Sequence, residues 1–302
     1  MADTLARAGF AAIAIDLPLH GITDTENPFY VEPLERTFNV DLVNNENGAP
    51  GPDGMIDASG AHYINLTSFL TARDNIRQGS TDLFYLTATL PTVDIDGDAL
   101  PDFATPIRFV GHSLGAIVGT TFLAVENEIS AATLANPGGG LTRLLLGSES
   151  IGPRILAGLM AVGLEPGTTD FEAFVNAFQQ AVDSGDPINY ASAAAEVHPI
   201  HMIEVVGPPS DATIPNSVPG APLAGTEPLV RIMGLRSVAA TTVDDMGLRA
   251  IVRFTEGAHS SFLSPSTSPA ATVEMQSEMA SFVVSNGTVL NVTNPEVLQP
   301  VQ

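Results

Sequence analysis

The sequence predicts an α/β fold built on a doubly wound, mostly parallel sheet. Short apolar runs alternate with helical patterns along the chain, and this alternation is typical of parallel sheets covered by helices on both faces. The clearest unit is the run from Ile107 to Val110, followed by Gly111-His112-Ser113-Leu114-Gly115 and the small-residue segment from Ala116 to Ala124. This strand, turn and helix place a serine at the carboxyl edge of the predicted sheet.

The first hundred residues contain three predicted elements and one long excursion. Thr4 to Ala8 has the pattern of a helix end, and Phe10 to Asp16 predicts a buried parallel strand. Residues 22–65 are rich in Pro, Gly, Asn and Asp, which is typical of a surface loop. Apolar residues at helical spacing predict one long helix from Leu66 to Leu90.

The second part of the chain continues the alternation after an interruption. Apolar runs predict strands at Ile129 to Ala135, Ile200 to Val206 and Leu248 to Phe254, and Ala270 to Val284 predicts a closing helix. Residues 141–195 carry several short helical patterns between two of these strands. We therefore expect one domain with an α/β core over residues 1–140 and 196–302. Residues 141–195 would form an inserted helical layer or a lid over an apolar pocket.

Composition excludes several classes of partner. The 302 residues carry a net charge of −23, and the 11 basic residues are all arginine. Without clustered cations we expect no nucleic-acid partner and no binding to anionic membranes. No apolar run is long enough for a transmembrane segment, and the first residues lack the basic start of a signal peptide. The acidic, lysine-free surface suggests adaptation to high salt as a hypothesis.

The absence of cysteine narrows the chemistry to other nucleophiles. With no cysteine in the chain, disulfides, thiolate metal sites and cysteine nucleophiles are all excluded. A serine between two glycines, after a strand and before a helix, is the pattern of a nucleophile elbow. The alternative is a glycine-rich turn in which Ser113 only caps the following helix.

A serine nucleophile requires a base and an acid at the same sheet edge. His259 follows the predicted strand that ends at Phe254, so it is the candidate base. Asp211 follows the strand at 200–206 and is the candidate acid; Asp244 and Asp245 compete with it because they are nearer to His259 in sequence. The order Ser113, Asp211, His259 agrees with that of α/β-hydrolase triads. The histidines at positions 62, 198 and 201 are interpreted as structural, and His112, beside the serine, is expected to point elsewhere because of the geometry of the turn.

These motifs resemble the α/β-hydrolase superfamily and, within it, bacterial extracellular lipases and esterases of the Pla-1/cef type. The resemblance extends over most of the chain through five segments, at residues 14–21, 71–75, 111–115, 222–228 and 257–260. It implies hydrolysis of acyl glycerols or simpler carboxylic esters, with the triad roles on Ser113, Asp211 and His259. No cofactor is needed for that reaction.

The chain departs from the family pattern at its amino end. The resemblance implies two or three strands before the helix at Thr4 to Ala8, so the fold as given is expected to be N-terminally truncated. The sheet would then close by direct pairing of Phe10 to Asp16 with Ile107 to Val110, by another part of the chain, or by a homo-oligomer partner. The backbone N–H of Leu114 is one expected oxyanion donor, and His20 is a candidate for the second. A truncated gene product is the other explanation.

A second motif suggests calcium. Carboxylates alternate in Asp94-Ile95-Asp96-Gly97-Asp98-Ala99-Leu100-Pro101-Asp102, and oxygen-rich loops suit a hard cation. The glycine position and the missing closing glutamate differ from an EF-hand, so a solvated acidic turn is the alternative. A structural Ca²⁺ on Asp94, Asp96, Asp98 and Asp102 is therefore an expectation separate from catalysis.

Taken together, the motifs predict a serine carboxylic-ester hydrolase, an esterase or lipase, acting through an acyl-enzyme on short- to medium-chain esters. The substrate would be a small-molecule ester or a lipid. A lactonase or thioesterase would use the same triad. A hydrolase-fold binding protein without activity is the alternative from a different functional class.

Overall fold

The computed structural model describes residues 1–301, and its centre is a five-stranded parallel sheet. The strand order is β1, β2, β3, β6 and β4, and every neighbouring pair is parallel. A separate two-stranded antiparallel ladder joins β5 to β7. The strands are β1 Ile107–His112, β2 Ile129–Ala135, β3 Ile200–Val205, β4 Arg236–Ser237, β5 Thr242–Val243, β6 Arg249–Phe254 and β7 Val289–Leu290.

Helices cover both faces of this sheet. They are α1 Ala2–Arg7, α2 Phe69–Thr89, α3 Leu114–Leu123, α4 Leu141–Gly147, α5 Gly152–Ala161, α6 Thr169–Val182, α7 Ala191–Val197, α8 Thr226–Met233 and α9 Pro269–Val284. Within residues 1–301, no helix combines the length and the apolar character that crossing a membrane requires. The predicted fold class, a doubly wound and mostly parallel α/β sheet, is confirmed.

The alternation of side chains along β3 explains the two layers. Met202 belongs to a core cluster with α3, α7 and α8 on one face, whereas Ile203 and Val205 belong to a cluster with α1 and α9 on the other. All six residues of β3 are buried. A strand buried on both faces is rich in apolar residues, and Ile200, Met202, Ile203 and Val205 supply this signal although His201 and Glu204 are buried with them.

Most predicted elements have the expected positions. The strand from Ile129 to Ala135 has the predicted bounds, and the helix predicted from Leu66 to Leu90 is α2, Phe69–Thr89. The two-residue strands β4, β5 and β7 were not expected, because two residues carry no periodic signal.

The strand predicted from Phe10 to Asp16 is wrong. These residues are extended but belong to no strand, and Ile13 remains 43% exposed. Between Ala11 and Ile15, no backbone N–H or C=O has a protein partner within residues 1–301. The apolar residues of this segment have the pattern of a buried strand. A strand also needs a neighbour to complete its backbone hydrogen bonds, and this segment has none within residues 1–301.

A cavity separates this segment from the sheet. It has a volume of about 720 Å³ and lies between residues 9–17 and the outer edge of β1, with the start of α1 and the end of α2 as its other walls. We call it the edge cavity. Because β1 pairs only with β2 in the described part of the chain, the predicted direct pairing with Phe10 to Asp16 is also wrong. A second copy of the chain that completes the sheet stays a prediction.

Residues 141–195 form a run of helices, α4 to α7. Helix α4 packs on α5 and α6, and α6 packs on α2, whereas α7 packs against α3 and α8 in the core. Asp186 fixes the start of α4, since its buried carboxylate accepts the N–H groups of Gly140 at 3.0 Å and Leu141 at 2.7 Å. An opening motion of this segment stays a prediction.

Candidate active site

Ser113 lies in a sharp turn between β1 and α3. Its backbone has φ 53° and ψ −121°, a strained conformation for a residue with a side chain. A Cβ on Gly111 would lie 2.8 Å from the carbonyl oxygen of Gly115 and 2.9 Å from the backbone of Ala116, so this position requires glycine. At Gly115, in contrast, a Cβ would meet no atom within 4 Å outside its own helix and chain neighbours. Only the first glycine of the motif is required sterically.

The turn also presents a free backbone donor. The N–H of Ser113 donates to the carbonyl of Ala135 at 2.9 Å, which ties the turn to β2. The N–H of Leu114, the first residue of α3, has no acceptor among residues 1–301. A free N–H at a helix start next to the serine has the position expected of one oxyanion donor.

The structure brings Asp211 and His259 together. His259 Nδ1 lies 2.6 Å from Asp211 Oδ2, and Asp211 is 6% exposed. The other oxygen of Asp211 accepts the N–H groups of Thr213 at 2.7 Å and Ile214 at 3.1 Å, so the carboxylate is held from both sides. With Nδ1 committed as donor, Nε2 is the ring nitrogen left to act as a base. Both residues lie in loops at the carboxyl ends of β3 and β6, the same sheet edge as Ser113.

Two further side chains hold the backbone of His259. His112 Nε2 lies 2.7 Å from the carbonyl oxygen of His259, and Asn136 Nδ2 donates to the same oxygen at 3.0 Å. The rings of His112 and His259 lie 4.8 Å apart. Burial lowers the pKa of His112, so its ring is held in the neutral form in which Nε2 donates and Nδ1 does not.

Sequence reasoning assigned no role to either residue. Asn136 follows β2, is 2% exposed and has φ 49°, a left-handed conformation that is uncommon outside glycine. Its partner is 123 residues away in the sequence. An asparagine directly after a parallel strand was the only available signal, and its partner could not be read from spacing.

The alternative acids and three of the other histidines lie outside the contact between Asp211 and His259. Asp244 accepts the N–H of Met246 in the turn between β5 and β6, and Asp245 is exposed. His62 pairs with Asp57 at 2.6 Å within the 22–65 loop. His198 contacts backbone carbonyls through both ring nitrogens, and the fully buried His201 lies 3.3 Å from Glu278, with its pKa lowered to about 3 by burial.

His20 lies in the same cavity as Ser113. Its Nδ1 lies 2.9 Å from the carbonyl oxygen of Pro18, and its ring packs edge-on against Tyr63. Because a carbonyl only accepts, Nδ1 must carry the proton, and Nε2 of the neutral ring is then an acceptor. His20 can donate to an oxyanion through Nε2 only as an imidazolium. The neutral ring in this geometry therefore does not supply the second oxyanion donor.

An apolar cavity of about 590 Å³ opens at Ser113. We call it the serine cavity. Its walls come from α3, the 58–66 loop and the helices α4 and α5, and they are mostly aliphatic. Ser113 lines the serine cavity and not the larger edge cavity, whereas Asp211 and His259 line neither, so the serine cavity is the candidate substrate site.

Three of the four predicted calcium ligands gather in one loop. Carboxylate oxygens of Asp94, Asp96 and Asp102 lie within 4.8 Å of one another, and all three residues are exposed. Asp98 is outside this group and accepts the N–H of Leu100 at 2.8 Å instead. Both oxygens of Asp94 already accept backbone N–H groups, from Gly97 and Ala99. The donor atoms suit a hard cation, and a calcium site here stays a prediction.

The sheet and its turns define the class of fold. A parallel sheet carries a serine on a strained turn before a helix, an aspartate after a later strand, and a histidine after the last long strand, all at one edge. This arrangement is the α/β-hydrolase fold.

Comparisons with known proteins gave matches among solved structures only. No protein-family model and no curated protein matches the chain. A structure of puromycin hydrolase in complex with a ligand matches at TM-score 0.41 and 13% identity, over 75% of this chain and 27% of that one. An esterase from Pyrococcus furiosus matches at TM-score 0.38 and 15% identity, over 68% of this chain and 61% of that one.

A second puromycin hydrolase structure matches at TM-score 0.37 and 13% identity, over the same shares of the two chains. This chain therefore spans about a quarter of the puromycin hydrolase chain and less than two thirds of the esterase chain. At identities and TM-scores this low, the likenesses do not bear on activity.

Proposed function

We propose that the chain is a serine carboxylic-ester hydrolase, an esterase or lipase related to the Pla-1/cef type. The observation that carries the proposal is the 2.6 Å contact between His259 Nδ1 and Asp211 Oδ2 beside the strained turn of Ser113. A serine hydroxyl is a weak nucleophile without such a base. The aliphatic serine cavity suits the acyl chain of a short- to medium-chain ester.

In the proposed reaction, Ser113 Oγ attacks the ester carbonyl while His259 Nε2 takes the hydroxyl proton. The tetrahedral intermediate collapses, the bond to the alcohol oxygen breaks, and His259 returns that proton to the leaving alkoxide. Water then attacks the acyl carbon while His259 takes its proton, the bond to Ser113 Oγ breaks, and His259 returns the proton to that oxygen, which releases the carboxylic acid. Asp211 orients the ring and stabilises the imidazolium, and the Leu114 N–H donates to the developing oxyanion.

The decisive experiment is labelling with a fluorophosphonate, which reacts with an activated serine. We expect wild-type protein to be labelled at Ser113 and the Ser113→Ala variant to be inert. Asp211→Asn should slow the labelling by orders of magnitude, because the ring of His259 would lose its orienting acceptor. A wild-type chain that does not react would favour the silent binding protein over the enzyme.

Substrate choice is tested with a series of 4-nitrophenyl esters from acetate to palmitate. Because the serine cavity is of limited volume, kcat/KM should peak at intermediate chain lengths and fall for palmitate. Parallel assays with lactones and acyl thioesters separate the alternatives that use the same triad. Higher kcat/KM on either of these than on every ester would replace the ester assignment while keeping the mechanism.

A further inference from the structure

Arg154 lies on the face of α5 that forms one wall of the serine cavity. Ile151, Arg154, Ile155 and Gly158 all line the cavity, and their spacing of three, four and seven residues places them on one helical face. The other three residues of this face are two isoleucines and a glycine. Arg154 is therefore a cation set among apolar neighbours at the wall of the cavity that holds Ser113.

Arg154 is exposed at the wall of the serine cavity, and its guanidinium has no protein partner within residues 1–301. Five of the 11 arginines pair with a carboxylate, at positions 36, 73, 77, 143 and 253. On the neighbouring helices, Arg143 of α4 does so by pairing with Glu172 of α6. Arg253 is shared between Glu204 and Glu227.

The surroundings of Arg154 favour an anion as a ligand in the serine cavity. No acidic residue is among those described as lining the serine cavity, so nothing in its wall neutralises the cation. Arg154 also lies in the first turn of α5, where the helix dipole disfavours a positive charge. A bound carboxylate would satisfy the guanidinium with two parallel hydrogen bonds and relieve this repulsion.

We propose that the natural substrate is an ester that carries an anionic group several bonds from its scissile carbonyl, and that Arg154 binds this group. The inference rests on the proposed function and names its substrate class. In this arrangement Ser113 attacks the ester carbonyl, the aliphatic walls contact the connecting chain, and Arg154 binds the anionic group. Arg154 is thus a residue that determines specificity and takes no part in the chemistry.

The test compares ester pairs that differ only in a terminal charge. Mono-4-nitrophenyl adipate and 4-nitrophenyl hexanoate have chains of equal length, ending in a carboxylate and a methyl group, and the suberate and octanoate esters form a longer pair. A third pair, 4-(hexanoyloxy)benzoate and phenyl hexanoate, places the charge on the alcohol side. The ratio of kcat/KM for charged over neutral ester is measured for each pair, and the responding pair locates the anion.

In at least one pair, Arg154→Gln should lower this ratio about three- to tenfold, with little change on the neutral ester. Arg154→Glu should lower it further by repulsion. Arg236→Gln is the matched control, because Arg236 is exposed on β4, lines neither cavity and has no side-chain partner within residues 1–301. It removes the same charge from the molecule, so it should leave every ratio unchanged.

Ratios that are equal in wild type and Arg154→Gln for all three pairs would overturn the proposal, as would equal losses in the Arg236→Gln control. Calorimetry measures binding of an ester to the Ser113→Ala variant, so its result does not depend on turnover. Monomethyl adipate should bind the Ser113→Ala variant more tightly than methyl hexanoate does, and adding Arg154→Gln should remove this difference. A wild-type chain without labelling or turnover defeats the proposed function alone, since the calorimetry still decides the role of Arg154.

Discussion

At the scale of single residues, the site depends on how His259 is held. Asp211 fixes the ring through Nδ1, whereas His112 and Asn136 fix the backbone through one carbonyl oxygen. The loop that carries His259 is thus attached to the turn that carries Ser113, because His112 is the residue before the serine. The base and the nucleophile are positioned by one small network.

Removing either donor to this carbonyl should weaken catalysis more than stability. His112→Leu and Asn136→Ala each delete one hydrogen bond, and we expect kcat/KM to fall about three- to tenfold. His112→Gln, which keeps an amide donor, should recover most of the loss. Fluorophosphonate labelling rates and ester kinetics measure the effect.

Asn189→Ala is the control for the asparagine change. Its amide also donates to a backbone carbonyl, that of Asp183, but at a distance from the triad. It should leave the labelling rate unchanged. Equal labelling rates in wild type, His112→Leu and Asn136→Ala would show that the carbonyl contact does not position the base.

At the scale of elements, α5 controls the width of the serine cavity. Gly158 lines the cavity, and a Cβ built on it meets no atom within 4 Å. Gly158→Leu should therefore place a side chain in the space for the acyl chain, and the preference for butanoate over decanoate should rise about tenfold. The 4-nitrophenyl ester series measures this ratio.

Gly158→Ala separates helix stability from cavity width. Its single methyl group should leave the chain-length profile close to that of wild type while it stabilises α5 by about 0.5–1 kcal/mol. An unchanged profile in Gly158→Leu would mean that acyl chains do not lie along α5.

Buried acidic side chains on β3 and α9 make stability depend on pH. Burial raises the pKa of Glu204 to about 8, aided by the carboxylate of Glu227 and opposed by the guanidinium of Arg253. Burial and the nearby Glu274 raise the pKa of Glu278 well above its usual range. An acid with a raised pKa in the folded state stabilises the fold at low pH and loses that contribution as pH rises through the raised value.

The free energy of unfolding should therefore fall as the pH rises from 6.5. For Glu204 alone the loss is on the order of 2 kcal/mol between pH 6.5 and pH 8. Denaturant unfolding at a series of pH values measures the slope, and Glu278→Gln should flatten it. Constant or rising stability over this range would contradict the prediction. Below pH 6.5 the depressed pKa of His201 acts in the opposite direction, because charging this buried ring destabilises the fold.

The elements also show what could be predicted from sequence. The strands β2, β3 and β6 are rich in apolar residues and largely buried, so their composition located them even though β3 and β6 also carry charged or polar side chains. Phe10 to Asp16 has the same pattern without a neighbouring strand, and no local pattern shows whether a partner exists. The serine, aspartate and histidine could be placed because each follows a strand or precedes a helix. The hydrogen bonds of Asn136 and the position of Arg154 depend on tertiary packing and could not.

At the scale of the whole molecule, the net negative charge makes stability depend on salt. With a net charge of −23 and no lysine, the folded surface repels itself, and salt screens this repulsion to about 3 Å at 1 M. If the chain is adapted to salt, its Tm should rise with KCl concentration from 0.1 M upward. Differential scanning calorimetry measures the change, and a flat or falling Tm would exclude the adaptation.

The edge cavity has a consequence for backbone dynamics. Alternate amides of β1 point away from β2 into the edge cavity, so water is their only acceptor. In hydrogen-deuterium exchange, peptides covering β1 should therefore take up deuterium faster than those covering β3, which is paired on both sides. Protection that increases with protein concentration would indicate pairing between copies. Ser113 directly follows β1. We therefore expect β1 to be the least protected long strand of the sheet, and its local opening would move the nucleophile.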